Sequence, residues 1–166
     1  MKKLLLIFIL FNLLLASCTK KSDYNKNLKI CEDLVLNINS IFIDSSASNS
    51  SIVKYFTNDF NFHYFPAGSR KGVKLSNQKF FDLFFDMKNQ FDFNIAHTIF
   101  LPGLNEFTHK IDGSVRVYYG ADIFLKNDTI EFSAYQTINF KNQKISEIWE
   151  WADYGGIINL LENERY

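Results

Sequence analysis

The feature that most constrains this fold is a run of alternating apolar and polar residues that fills the second half of the chain. Apolar residues recur at every second position over 93–101, 115–125 and 130–140, and a further apolar stretch spans 145–151. A period of two is typical of strands that bury one face. Lys126-Asn127-Asp128 and Asn142-Gln143 are short turn signals between the last three stretches. The pattern therefore predicts an antiparallel meander.

Two longer helices are predicted before these strands. Apolar residues recur at helical spacing over 28–43 and again over 76–90, where Ser76 is placed to cap the second helix. A short helix at 52–56 and a strand at 60–65 are expected between them, and a closing helix at 153–161 follows the meander. Helices first and strands second is the α+β pattern, an antiparallel sheet packed against N-terminal helices.

Composition excludes several classes of protein. The 166 residues include 18 basic and 18 acidic ones without a basic patch, which argues against nucleic-acid binding. Two cysteines, Cys18 and Cys31, cannot build a disulfide framework, and no spacing suggests a metal ligand set or a cofactor motif. The 18 phenylalanines predict either a very aromatic core or an aromatic cavity. Cys31 lies on the apolar side of its predicted helix and is expected to be a buried core residue.

The N-terminus has the layout of a secretory signal. Lys2 and Lys3 precede an apolar run over 4–15, and Leu15-Ala16-Ser17-Cys18 then resembles the lipobox of bacterial lipoproteins. The resemblance implies that residues 1–17 are removed and that Cys18 carries acyl chains such as palmitate. Residues 18–27 would form a lipidated tether to a membrane of the bacterial cell envelope. Thr19, in place of the Asp that retains lipoproteins at the inner membrane, favours the outer membrane.

Two other interpretations of the N-terminus stay open. The first is a membrane-spanning anchor, although the apolar run is about a dozen residues, short of the roughly 20 that a membrane-spanning helix needs. A plain secretory signal would instead leave Cys18 as a free thiol.

The order of elements resembles the NTF2-like superfamily, which includes SnoaL-type polyketide cyclases and ketosteroid isomerases. The local matches are Phe62-His63-Tyr64-Phe65-Pro66, the Lys71-Gly72 step, and the C-terminal set Ile145, Glu147, Trp149, Asp153, Gly156 and Leu161. The resemblance covers about residues 28–161 and leaves 162–166 as a tail. It implies a cone, in which a curved antiparallel sheet wraps against the helices around a cavity. It also implies a homodimer formed through the outer face of the sheet.

The same resemblance nominates Asp153 and His63 as catalytic residues. Asp153 would be a general base, and His63 would orient or protonate a substrate oxygen. The structural alternatives are an N-cap of the closing helix for Asp153 and a hydrogen-bonded structural histidine for His63.

Aromatic residues are the candidates for ligand contact: Trp149, Trp151, Tyr55 and Tyr135. Trp149 and Trp151 share one strand face and could wall a flat ligand, although core and dimer packing is the favoured interpretation. Tyr118 and Tyr119 point to opposite faces, so at most one of them enters a cavity. Glu147 lies on the face of the two tryptophans and is expected to pair with Arg116.

Three functions follow from these residues. The first is a membrane-anchored domain that binds a small hydrophobic or aromatic molecule in a cone-shaped cavity. The second is a cyclase- or isomerase-type enzyme that performs acid–base chemistry on a carbonyl compound, and whether the chain is an enzyme stays open. The third is an envelope domain that binds a protein through its sheet.

Overall fold

A computed structural model describes residues 23–43 and 50–163. The elements in this part of the chain are α1 (Tyr24–Ile43), α2 (Ser50–Val53), β1 (Phe56–Tyr64), β2 (Val73–Ser76), α3 (Asn77–Lys88), β3 (Asp92–Leu104), β4 (Ile111–Phe124), β5 (Thr129–Lys141), β6 (Lys144–Ala152) and α4 (Tyr154–Asn163). The predicted signal peptide and Cys18 lie outside the described residues. Among those that are described, no helix is long and apolar enough to cross a membrane.

The six strands form one curved sheet in the order β2-β1-β6-β5-β4-β3. The three meander hairpins are antiparallel, as the tight turns require, and the α+β prediction is confirmed. The sheet is mixed rather than wholly antiparallel, because β1 runs parallel to β6. The whole meander separates these two strands in sequence, so no tight turn fixes their relative direction.

Helix α1 begins earlier than its apolar pattern indicated. The helix starts at Tyr24, within the stretch expected to be a tether, and Asn27 is only 4% exposed. The Asn27 amide donates a hydrogen bond to the Gly113 carbonyl at 2.8 Å. This contact attaches the first turn of α1 to β4, and a polar residue on a helix face gives no hydrophobic signal by which sequence could find it.

Two details of the sheet were not predicted. Strand β2 is only four residues long, too short for alternation to identify it, and Ser76 ends it without capping α3 through its side chain. Strand β3 continues through Pro102-Gly103, where a run end was expected. The register shifts between Pro102 and Leu104, so the proline sits at an irregularity of an edge strand, where a missing N–H is tolerated.

The core lies between the helices and one face of the sheet. Cys31, Leu34 and Ile41 from α1 meet Phe60 from β1 and Phe81 from α3 in the larger of two clusters of buried side chains. The rings of Phe56 and Phe81 pack edge to face at 5.2 Å, and Phe56 meets Phe60 at 4.6 Å. Much of the phenylalanine content therefore fills the core, and the expectation that Cys31 is buried is confirmed, at 1% exposure.

Candidate functional site

A pocket of about 70 Å³ remains between α1 and the sheet. Most of its wall is apolar and comes from α1, β3 and β4: Leu34, Val35, Phe93, Phe100 and Val117. Three polar side chains complete the lining, Thr98 on β3, Tyr119 on β4 and Gln136 on β5. Thr98 and Tyr119 are register partners on adjacent strands, so they share the face that looks towards α1.

Tyr119 and Gln136 are both hydrogen-bonded to a buried carboxylate. The Tyr119 hydroxyl donates to Glu150 Oε2 at 2.7 Å, and the Gln136 amide N–H donates to the same oxygen. Tyr154, the first residue of α4, donates its hydroxyl to Glu150 Oε1. Glu150 is 8% exposed. These three donors supply the hydrogen bonds that an exposed carboxylate would accept from water. We call Glu150, Tyr119, Gln136 and Tyr154 the Glu150 cluster.

The two phenols of the Glu150 cluster keep their protons. Burial, followed by the charge of Glu150 and the hydrogen bond to it, raises the pKa of Tyr119 well above its ordinary value. The pKa of Tyr154 is raised for the same reasons in the same order. Both residues are therefore hydrogen-bond donors to the carboxylate over any physiological pH range.

A bulge in β6 decides which side chains of this strand face the pocket. Asn139 on β5 pairs with Glu147, but the next residue, Phe140, pairs with Ile145, so Ser146 is left over. An extra residue reverses the alternation beyond it. Ile148 and Glu150 are consequently buried on the side of α1, as Ile145 is. The side chains of Glu147, Trp149 and Trp151 go to the opposite side, which we call the outer face.

Asp153, the candidate general base, lies in solvent at the start of α4. Its residue is exposed, and its Oδ1 accepts a hydrogen bond from the Gly156 N–H at 2.9 Å. This is the contact of an N-cap, the structural role that the sequence also allowed. Asp153 is not part of the pocket lining.

His63, the other catalytic candidate, lies on the outer face against Glu147 and Trp149. Its Nε2–H donates to Glu147 Oε1 at 3.0 Å, and its ring stacks on Trp149 with 4.2 Å between centroids. Burial disfavours the charge of Glu147, but hydrogen bonds from Trp149, Asn139 and His63 outweigh burial and lower the pKa of Glu147. His63 and Asp153 are thus not joined in one cavity: His63 belongs to the outer face, and Asp153 to a helix cap.

The aromatic candidates are also away from the pocket. Trp149 and Trp151 both stack on Phe65, with ring centroids 5.9 and 4.7 Å away, and the Tyr135 ring lies 5.6 Å from that of Trp151. Tyr55 accepts a hydrogen bond from Asn37 and lies under the Lys54 ammonium.

The expected pair of Glu147 with Arg116 is wrong. Arg116 donates instead to the Thr137 hydroxyl, its cross-strand neighbour, and Glu147 is held by His63 and Asn139. The expectation that only one of Tyr118 and Tyr119 faces the cavity is confirmed: Tyr119 lines the pocket, and Tyr118 is 48% exposed beside Tyr135.

Sequence reasoning missed the Glu150 cluster. Strict alternation from Ile145 places Glu147 and the tryptophans inside and Glu150 outside, and the bulge at Ser146 inverts this. One usable signal was present. If Trp149 and Trp151 faced inwards, Glu147 on the same strand face would place its charge in the core. That conflict is itself a sign of a register change. Cys31 also lines the pocket, but burial raises the pKa of its thiol to about 12, so it is an inert wall residue.

No model of a known protein family matches the chain, and no curated protein matches it in sequence. Solved structures do match its fold. The BvnE pinacolase of Penicillium brevicompactum superposes with a TM-score of 0.64 at 15% identity, over 85% of this chain and 95% of that one. A candidate polyketide cyclase of Xanthomonas campestris gives 0.61 at 9% identity, over 83% and 98%. An LEH-like epoxide hydrolase of M. tuberculosis gives 0.56 at 10% identity, over 82% and 89%. At these identities the similarity establishes the fold, which is NTF2-like.

Proposed function

We propose that this chain is a lipid-anchored envelope protein whose NTF2-like domain binds a small, largely apolar molecule in the pocket between α1 and the sheet. One observation carries the proposal. Most of the pocket lining is apolar, and two of its polar residues, Tyr119 and Gln136, are hydrogen-bonded to the buried Glu150. A few fixed polar groups in an otherwise apolar concavity are the usual composition of a ligand site.

The alternative of a mere packing defect is energetically unattractive. Unfilled space of about 70 Å³ leaves the apolar side chains around it without packing partners from the protein. Larger side chains at Val35 or Val117 would fill the volume, and apolar residues in place of the Glu150 cluster would avoid burying a carboxylate. Retaining both features makes sense if the space is used.

The size of the pocket limits the ligand. An engineered apolar cavity of about 150 Å³ holds benzene. In proportion, a pocket of about 70 Å³ encloses roughly three heavy atoms, so a molecule of the size of 2-butanol would extend part of its carbon skeleton through the open side. The fold is consistent with a pocket that binds a small molecule, because two structural neighbours are named as enzymes, a pinacolase and an epoxide hydrolase.

The experiment is a titration of the isotope-labelled protein with 2-butanol, followed by NMR. Saturable shifts confined to residues around the pocket are expected. Val35→Phe fills the pocket and should abolish them. Leu36→Phe, the neighbouring residue on α1 at 63% exposure, adds the same ring outside and should leave them unchanged. Non-saturable shifts, or equal binding by the two variants, would refute the pocket as a ligand site.

Acid–base catalysis on a carbonyl compound is a second candidate. The observation that favours it is the carboxylate of Glu150, linked to a pocket-lining phenol. The test is deuterium exchange at the α-carbon of 2-butanone in D₂O. An enzyme of this type should exchange faster than buffer alone. Glu150→Gln should lose the excess rate, and Asp153→Asn should keep it. No excess over buffer would exclude this candidate for small ketones.

The anchor is tested by mass spectrometry of the protein from a bacterial membrane fraction. An N-terminal Cys18 with acyl chains is expected, because two or more chains give stable attachment. Cys18→Ser should move the protein to the soluble fraction. A mature chain that begins elsewhere, or an unmodified Cys18, would contradict the lipoprotein assignment.

A further inference from the structure

We propose that the pocket selects ligands whose polar group donates a hydrogen bond, and that it therefore prefers an alcohol to the ketone with the same carbon skeleton. This inference rests on the proposed binding function and names the chemical class of its ligand. Its basis is the direction in which the Glu150 cluster holds the Tyr119 proton.

Tyr119 presents an acceptor to the pocket. Glu150 Oε2 accepts from the Gln136 amide N–H, which can only donate, and from the Tyr119 hydroxyl at 2.7 Å, so this contact uses the phenol proton. A phenol has one proton, and its remaining capacity is its two lone pairs. Because burial and the charge of Glu150 raise the pKa of Tyr119, the phenol is not ionised and the proton stays in this bond. A ligand that reaches the Tyr119 oxygen must then bring its own proton.

Gln136 can donate a hydrogen bond to a ketone, but the Tyr119 oxygen then has no hydrogen-bond donor facing it. One amide N–H of Gln136 is directed to Glu150, which leaves the second N–H and the amide oxygen for a ligand. A hydroxyl can donate to Tyr119 and accept from Gln136 at once. A ketone can accept from Gln136, but it faces the Tyr119 oxygen with a second acceptor.

Thr98 does not offset the difference between an alcohol and a ketone. Its hydroxyl rotates freely between donating and accepting, so it serves an alcohol and a ketone alike. The discrimination therefore falls on Tyr119. Leaving one buried polar group without a partner typically weakens binding by about tenfold, and more where water is well excluded.

The experiment compares 2-butanol with 2-butanone on the full-length protein, by NMR titration. The two molecules share a skeleton and differ in the proton of the polar group. The dissociation constant of the ketone is expected to be about ten times that of the alcohol. A ratio of one, or a preference for the ketone, would overturn the inference.

A pair of identical substitutions separates the mechanism from general effects on the site. Tyr119→Phe removes the acceptor and should bring the ratio close to one, mainly by weakening the alcohol. Tyr118→Phe removes the same hydroxyl from the neighbouring residue of β4, which is 48% exposed on the outer face and outside the pocket lining, and should keep the ratio near ten. Loss of the preference in both variants, or in neither, would contradict the assignment to Tyr119.

The result also distinguishes this inference from the function on which it rests. If neither molecule gives saturable shifts around the pocket, the binding function itself fails. If both bind with equal affinity and Val35→Phe abolishes both, the pocket is a ligand site but the donor selectivity is wrong. A confirmed preference for the alcohol would in addition count against ketone turnover in this pocket.

Discussion

At the scale of single residues, Asp153 illustrates how a role that the sequence left open becomes testable. Its carboxylate caps α4 through the Gly156 N–H, and the residue is exposed. We predict that Asp153→Ala lowers the free energy of unfolding by about 1 kcal/mol, and that Asp153→Asn lowers it much less, because Asn is also a good cap. Urea unfolding measures both, with Glu162→Ala on the same helix as the control. Loss of 2-butanol binding at unchanged stability would point instead to a role at the ligand.

Glu147 gives a prediction about pH. Its pKa is lowered in the folded protein, so the unfolded chain binds a proton more readily than the folded one. Stability from this group is therefore fully present above the ordinary value of 4.5 and is lost as pH falls through the folded pKa. We expect Glu147→Gln to flatten the acid side of the stability profile. Urea unfolding between about pH 5 and pH 3 measures it. An equally steep loss in the variant would show that other carboxylates dominate.

At the scale of the elements, the sequence predicted those helices and strands whose apolar residues recur at a regular period. The hairpins of β3 to β6, the two longer helices and the closing helix were located within a few residues, because each buries one face over several turns or pleats. The single residue Ser146 was beyond this reasoning. One bulge reverses which side of β6 is inside, and the choice of site residues on that strand reversed with it. A bulge depends on the register between strands, which a local pattern does not contain.

Helix α4 is held to the rest of the domain by few contacts. None of its residues from Tyr154 to Glu162 is fully buried, and Ile157 and Leu161 pack against the smaller cluster of buried side chains, which includes Phe93 and Ile123. The hydroxyl of Tyr154 attaches its first turn to Glu150. We predict that Tyr154→Phe speeds amide exchange in α4 while β6 stays protected, because helices held by few contacts open locally. Hydrogen–deuterium exchange measures it, and Tyr55→Phe is the control. Unchanged exchange would mean that the apolar contacts suffice.

At the scale of the whole molecule, the two faces of the sheet are unequal partners. The inner face packs on α1 and α3 and contains the pocket. The outer face carries a row of apolar side chains that are direct cross-strand neighbours on four consecutive strands: Ile99, Tyr118, Tyr135 and Trp151. Within the described part of the chain, no helix covers this row, and Ile99, Tyr118 and Trp151 are 55%, 48% and 41% exposed. Contiguous apolar patches of this kind are typical of surfaces that contact another protein, a membrane or a ligand.

We predict that the occupant of the outer face is a second copy of this chain. The row crosses four neighbouring strands, from the edge strand β3 to β6, so a twofold axis through it would place the same residues against each other, which is the geometry of an isologous dimer. Ile99→Lys puts a charge at the row and should produce monomers. Leu36→Lys, on α1 at 63% exposure, should stay dimeric. Light scattering at tens of micromolar decides, since such concentrations populate most specific dimers. A monomeric wild type, or a dimeric Ile99→Lys, would contradict the dimer and leave a different envelope protein as the partner of the outer face. A pull-down with the wild type and Ile99→Lys side by side would then identify binding that depends on this row.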